Sequence, residues 1–404
     1  AVCVLLSSCL PLAAAQGGIV VKLREGANDG LERNLVATRS GVPKIHATIA
    51  GVDVNVVLDS KAVPGLLVIQ SSGPVEEDLQ QIQADPSVEY AERDTQYFLS
   101  PPKDPTAPMP SMRTGQTDGA GVLDVDSEYG WWHDMAGVSD AWSMIGKGSR
   151  DIRVLLIDSG VDYLHPDLNG NMWTNPSEIP DNGIDDDGND VVDDYYGANA
   201  VTSRTSGDPM DDLGHGTHCA GLVGAMHNGE YVVGVSPQVT LMACKAFDAN
   251  GSGSLSTVLR CLDWALSLPE SERPHIISNS YGSYVRSTIF AESYMPAIES
   301  FGILFVAAAG NSGINTDVAA NAHYPSTFSS DIILSVGASD GDDDMPWFTN
   351  FGLETVDLAA PGVDILSTWP HALSATYTSV ESGTSMSTPM VAGAAALLLS
   401  AFPG

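Results

Sequence analysis

The chain has 404 residues, too many for a single small domain, and 43% of them are hydrophobic, enough for a large core. Its 51 acidic and 17 basic residues leave a net charge of −34. Such a surface repels phosphate backbones and excludes a nucleic-acid partner, while it suits a soluble protein or one that binds calcium.

From Ala1 to Ala15 the chain is an apolar run ending in small residues. This reads as the back half of a secretory signal peptide, residues 1–15, so a secreted, extracellular protein is expected. No other segment is expected to span a membrane. Cys3 and Cys9 would leave with the signal, and Cys219, Cys244 and Cys261 would remain. An odd number predicts at least one free thiol, with Cys244–Cys261 a candidate bridge.

Residues 17–99 read as a small α+β unit. Strands are predicted at Ile19–Leu23 and Leu66–Gln70, a helix at Glu76–Gln83 and a closing strand at Val88–Asp94. Residues 100–126 are rich in proline and lack periodicity, which predicts an exposed linker open to processing. From 127 to 404, apolar runs at Ile152–Ile157, Val239–Ala246, Ile276–Ser280, Ile303–Ala309 and Ile332–Gly337 read as strands. Helical stretches at Cys219–Met226, Ser254–Leu266, Ala291–Ser300 and Pro389–Ser400 alternate with them. The strands are apolar on both sides, so the fold class is α/β: a mainly parallel sheet with helices on both faces. Ligand sites in such sheets lie at the carboxyl ends of the strands.

Three segments carry chemistry-bearing residues. Asp158 ends the first buried strand of the sheet, where it could orient an imidazole or simply close an Asx turn. His215 lies in Gly214-His-Gly-Thr-His-Cys-Ala-Gly221. Its spacing to His218 could suggest a metal pair, but no glutamate accompanies them in the zinc pattern. Ser385 lies in Ser382-Gly-Thr-Ser-Met-Ser-Thr-Pro389, at the start of a very apolar helix. Unpaired N–H groups there would stabilise an oxyanion, or the serine could be a helix cap.

Taken together, Asp-Ser-Gly, His-Gly-Thr-His and Gly-Thr-Ser-Met-Ser-Thr-Pro, in the order Asp, His, Ser, resemble the three signature blocks of the subtilisin-like serine proteases. The resemblance runs from about Trp131 to the last residue. It implies a serine endopeptidase with Asp158, His215 and Ser385 as triad, acting on polypeptides through an acyl-enzyme. It implies Asn311 as oxyanion donor, with Ala309 and Gly310 beside it in the substrate cleft. It also implies that Gly251, Ser252 and Gly253, with Ser280, Tyr281 and Gly282, hold an extended peptide by main-chain pairing. His323, before Tyr324-Pro325, falls near the floor of the family's primary pocket, where an imidazole would shorten it. Cys219, after His218, is similar to a packed cysteine in proteinase K-like members.

Residues 17–99 resemble the family's propeptide, which implies a zymogen inhibited by its own N-terminal segment; a monomer is expected. The acidic stretch Asp181–Asp194 is similar to inserts of calcium-binding subtilisins, with Asp181, Asp185, Asp187 and Asp193 as candidate Ca2+ ligands, or it is a solvated loop. The alternative is a catalytically silent protein of the same fold that binds calcium or a partner. Family members continue past the serine-bearing helix, so the resemblance also implies a longer gene product.

Overall fold

The computed structural model describes residues 18–27, 33–36, 44–99, 130–202 and 205–403. The signal-peptide and linker readings lie outside these residues. Two compact units divide between Asp94 and Thr95.

In the first unit, strands β1 (Gly18–Leu23), β2 (Arg33–Val36), β3 (Lys44–Ile49), β4 (Val52–Asp59), β5 (Leu66–Ser71) and β6 (Val88–Arg93) form one antiparallel sheet, in the order β2-β3-β4-β5-β1-β6. Helix α1 (Val75–Gln83) packs on it through Leu79 and Ile82. Alternate residues Ile19, Val21 and Leu23 face this helix and share its core. The sequence reading found β1, β5, β6 and α1. It did not separate β2, β3 and β4; apolar and polar residues alternate in β3 and in the first half of β4.

The second unit holds strands β7 (Gln96–Leu99), β8 (Arg153–Asp158), β9 (Gly197–Asn199), β10 (Thr240–Lys245), β11 (Ser252–Ser254), β12 (Ile276–Asn279), β13 (Tyr281–Gly282), β14 (Leu304–Ala308), β15 (Ile333–Ser339), β16 (Leu358–Pro361), β17 (Ile365–Thr368) and β18 (Thr378–Glu381). Its helices are α2 (Trp131–Met135), α3 (Val138–Ile145), α4 (His215–Gly224), α5 (Leu255–Ser267), α6 (Met295–Ser300) and α7 (Thr384–Ala401). Seven strands form a parallel sheet in the order β16-β15-β14-β12-β8-β10-β9. The predicted α/β class is borne out.

Side-chain alternation assigns the two faces. Val154, Leu156, Leu241, Ala243, Ile276 and Val306 share one core with Leu222 of α4 and Met390 and Ala392 of α7. The intervening residues look the other way: Cys244 bonds to Cys261 of α5, and Phe305 meets Phe290 edge to face. Both faces are therefore covered, which is why these strands are apolar throughout.

Two helices begin earlier than expected. The expected starts followed apolar character, at Cys219 and Pro389. In the structure α4 begins at His215 and α7 at Thr384, because tertiary hydrogen bonds hold their weakly helical first turns. Pro389 sits inside α7. α7 is also long and apolar enough to cross a membrane, contrary to the expectation for the chain beyond its N-terminal run. It packs instead against β8, β12, β14, β15 and β16, so its apolarity serves the core.

The candidate bridge is formed: Cys244 and Cys261 are joined, and Cys219 is a free, buried thiol. The bridge closes a loop across 17 residues. Replacing both cysteines by alanine is expected to lower the unfolding free energy by about 3 kcal/mol. Denaturant unfolding of the pure protein checks this, and an unchanged midpoint would show that the bridge adds nothing to stability.

Candidate active site

Asp158 is the last residue of β8 and His215 the first of α4. The His215 Nδ1–H donates to Asp158 Oδ1 at 2.8 Å. The same carboxylate oxygen accepts from the Ser159 N–H at 2.7 Å, which fixes its direction. Burial disfavours a charged imidazole, but the Asp158 carboxylate and the neighbouring Cys219 together outweigh it and hold His215 well above the usual value of 6.5. His218 is different. Its Nε2 faces the Ile365 carbonyl at 3.0 Å, and burial, with His215 close by, pushes it down to about 3. The two histidines have separate partners and do not form a metal pair.

Asp211, which the sequence reading missed, joins the turn after β8 to the start of α4. Its Oδ1 accepts from Ser159 Oγ at 2.8 Å and from the N–H groups of Leu213 and Gly214 at 3.0 and 2.9 Å. Its Oδ2 accepts from the Thr217 N–H and hydroxyl at 2.9 and 2.6 Å. The carboxylate thus caps a helix whose N-terminal glycine has no side chain to do so. The available signal was an aspartate four residues before His215.

Ser385 lies in the first turn of α7. Pro389, four residues on, has no N–H to give the Ser385 carbonyl. That carbonyl accepts instead from Ser280 Oγ at 2.9 Å and faces Cys219 Sγ at 3.4 Å. Cys219 Sγ also lies 3.9 Å from His215 Nδ1. The thiol therefore packs between the histidine and the serine. Burial raises its pKa, so it stays protonated there. The Ser385 hydroxyl donates to the Ser280 carbonyl at 3.3 Å.

Asn311 follows β14. Its Oδ1 accepts from the Thr384 N–H and hydroxyl, both at 2.9 Å. These two donors settle the amide orientation and turn Nδ2 toward Gly383, beside Ser385.

Four of the six expected peptide-binding residues, Ser252, Gly253, Tyr281 and Gly282, lie in a separate three-stranded antiparallel sheet, β11-β7-β13, and Gly251 and Ser280 directly precede its outer strands. Its middle strand is the chain's own Gln96–Leu99. Ser252 pairs with Phe98 and Gly253 with Tyr97, while Tyr281 pairs with Leu99 and Gly282 with Phe98. The Leu99 N–H donates to the Gly251 carbonyl at 3.3 Å. Tyr97 is fully buried, edge to face with Tyr281. Ala309, Gly310 and His323 lie together on the other side of Ser280–Gly282: His323 is hydrogen-bonded to the Ala308 carbonyl, and its ring lies against both Gly282 and Gly310.

The acidic loop departs from the expected ligand set. Asp185 accepts the N–H groups of Gly188, Asn189 and Asp190. Asp193 accepts those of Asn182 and Gly183. These carboxylates shape the loop's turns, and Asp181 is exposed. Among the described residues, the carboxylates that converge are Glu178, Asp187 and Asp194, with oxygens within 4.8 Å of one another. Of the four residues expected, only Asp187 belongs to this group. Glu178 is 6% exposed, and its Oε2 is buried with no hydrogen-bond partner. Asp194 is fully buried and bonded to Trp264, Asn189 and Asn175. Burial raises both carboxyls above their usual values. An orphaned buried oxygen among converging carboxylates fits a hard divalent cation.

Comparison with known proteins finds a model of the subtilase family matching residues 149–404. Subtilisin-like protease 1 of Plasmodium berghei (strain Anka) is 35% identical over 291 residues, 68% of this chain and 47% of that protein. Subtilisin amylosacchariticus of Bacillus subtilis subsp. amylosacchariticus is 37% identical over 261 residues, 64% of this chain and 58% of that protein. Subtilisin NAT of Bacillus subtilis subsp. natto is 36% identical over the same length. The chain spans about half the length of these relatives.

The pairing of Asp158 with His215 has a direct consequence. A carboxylate favours the imidazolium, so removing its charge must lower the histidine's pKa. In histidine ring NMR across pH, His215 is expected to titrate above 6.5, and Asp158→Asn to move it downward. An unmoved midpoint would remove Asp158 as the cause.

Proposed function

Because the chain belongs to the subtilase family, we propose that it is a secreted serine endopeptidase, made as a zymogen, with Asp158, His215 and Ser385 as its catalytic triad. The observation that carries this reading is the 2.8 Å Asp158–His215 hydrogen bond, with the Ser385 carbonyl and His215 packed on the same thiol and Asn311 turned toward Gly383.

In the proposed mechanism, Ser385 Oγ attacks the scissile carbonyl carbon while His215 Nε2 takes its proton. The carbonyl electron pair moves to oxygen, where Asn311 Nδ2 and the Ser385 N–H at the start of α7 receive it. The C–N bond then breaks, and His215 returns the proton to the leaving amine. Water repeats the sequence on the acyl-enzyme. Asp158 holds the imidazole with Nε2 toward the serine and stabilises the imidazolium. Only neutral His215 can act as base, so the rate rises with pH through its elevated pKa.

Two features support the zymogen and secretion readings. Gln96–Leu99 uses the main-chain groups of β11 and β13 that a peptide substrate would need, so the chain is its own competitor until that strand leaves. The Cys244–Cys261 bridge suits an oxidising compartment, in keeping with the apolar N-terminal run. Glu178, Asp187 and Asp194 would hold Ca2+, whose charge would neutralise carboxylates that are costly to bury alone.

A fluorophosphonate probe should label Ser385 and leave Ser385→Ala unlabelled, as read by mass spectrometry of the modified peptide. Absence of label on the folded protein, freed of its N-terminal segment, would favour a silent binding protein. Excess Ca2+ should raise the melting temperature over that in chelator, by about 2.7 kcal/mol of stability at a hundredfold excess over Kd. Glu178→Gln should abolish most of this response; an equal response in the variant would place the ion elsewhere.

A further inference from the structure

The strands β12 and β14 pair in parallel as far as Asn279 and Ala307, and then separate. Between the diverging segments, Ser280–Gly282 and Ala308–Gly310, a slot opens at the carboxyl edge of the sheet, the usual place for a ligand in this architecture. Ser385 stands at one end, its Oγ 3.3 Å from the Ser280 carbonyl. The other end is filled. The His323 imidazole lies so close to Gly282 that a Cβ there would collide with its Cε1 and Nε2. A Cβ on Gly310 would lie 3.1 Å from its Cδ2. A side chain at Gly282 would displace the ring, and one at Gly310 would press on it from a positive φ that favours glycine.

Tyr284 closes the slot further. Its ring meets His323 edge to face at 5.2 Å, and its hydroxyl shares a 2.6 Å hydrogen bond with Ser312 Oγ on the opposite wall. Asn350 ties the same wall, donating from Nδ2 to the Ala309 carbonyl at 2.7 Å. His323 itself is held by Ser326 Oγ, 3.3 Å from Nδ1, and by the Ala308 carbonyl. Burial lowers its pKa to about 4, so the plug is a neutral ring near neutral pH and offers no charge to an acidic side chain.

The strand Gln96–Leu99 supplies the register of a bound peptide. Leu99 pairs with Tyr281, so the next residue of a peptide on the same path stands opposite Ser280, with its carbonyl at Ser385. The slot beside Ser280 is then the space for that residue's side chain.

The geometry points to His323, braced by Tyr284, as the specificity-determining residue that restricts cleavage to the carboxyl side of small residues, alanine, serine or glycine, and excludes aromatic ones. This inference rests on the peptidase reading. The chain's own Tyr97, Phe98 and Leu99 provide the template for its test.

The full chain is matured and assayed with acetyl-Tyr-Phe-Leu-Ala-p-nitroanilide and with the same compound ending in phenylalanine. We expect kcat/KM for the alanine compound to exceed that for phenylalanine by about tenfold or more, the range of a steric mismatch in an apolar pocket. His323→Gly should raise kcat/KM for the phenylalanine compound by about tenfold or more. Fluorophosphonate labelling shows that the variant's site is assembled, and Tyr284→Ala, altered at a partly exposed position, should shift preference in the same direction. Equal or faster cleavage of the phenylalanine compound by the unaltered protein would overturn the pocket and leave the peptidase reading standing. Failure to cut either compound, with no labelling of Ser385, would overturn the peptidase reading and this inference together.

Discussion

The buried carboxylate of Asp211 holds the candidate active site together. It gathers the Ser159 hydroxyl, the Leu213 and Gly214 amides and both donors of Thr217, and so joins the end of β8 to the start of α4. Asp158 and His215 sit at these two ends. Their 2.8 Å contact depends on two backbone segments 57 residues apart keeping their spacing. Charge-assisted hydrogen bonds in a water-poor setting are strong and directional, and unmaking one would leave orphaned donors.

The serine side is fixed by a missing hydrogen bond. Pro389 withholds a donor from the Ser385 carbonyl, and the helix there opens to partners outside itself. Ser280 and Cys219 take that role, which ties α7 to β13 and to the histidine-bearing helix. A proline that would weaken an isolated helix thus serves the packing of three elements. The same Ser280 offers its carbonyl to the Ser385 hydroxyl and directly precedes the strand that pairs with Gln96–Leu99. Contacts from α7, α4 and Gln96–Leu99 converge on this one segment, beside the carboxyl end of β12.

The acidic loop separates density of charge from convergence of charge. Asp185 and Asp187 accept main-chain N–H groups a few residues on and act as turn formers, while Asp193 reaches back to those of Asn182 and Gly183. Glu178 and Asp194, both buried, lie at its margins and converge with the exposed Asp187. Burial, which composition does not record, separates Glu178 and Asp194 from the exposed aspartates of the loop.

The α/β class and five strands of the parallel sheet, β8, β10, β12, β14 and β15, are legible in the sequence, which also marks Asp158, His215, Ser385 and Asn311 as candidates; the short strands β9 and β16 are not legible there. The former are legible because buried strands require continuous apolar runs, and the candidates because they sit in short glycine-bearing segments of local character. Tertiary structure alone decided what depends on residues distant in the chain. It set the early starts of α4 and α7, held by Asp211 and Ser280. It also chose Cys244–Cys261 over other pairings and joined Glu178 and Asp194 to Asp187. The placement of Gln96–Leu99 between β11 and β13 is of the same kind, since those partners lie more than 150 residues downstream. Periodicity reports which face of an element is buried, and only the folded chain reports against what.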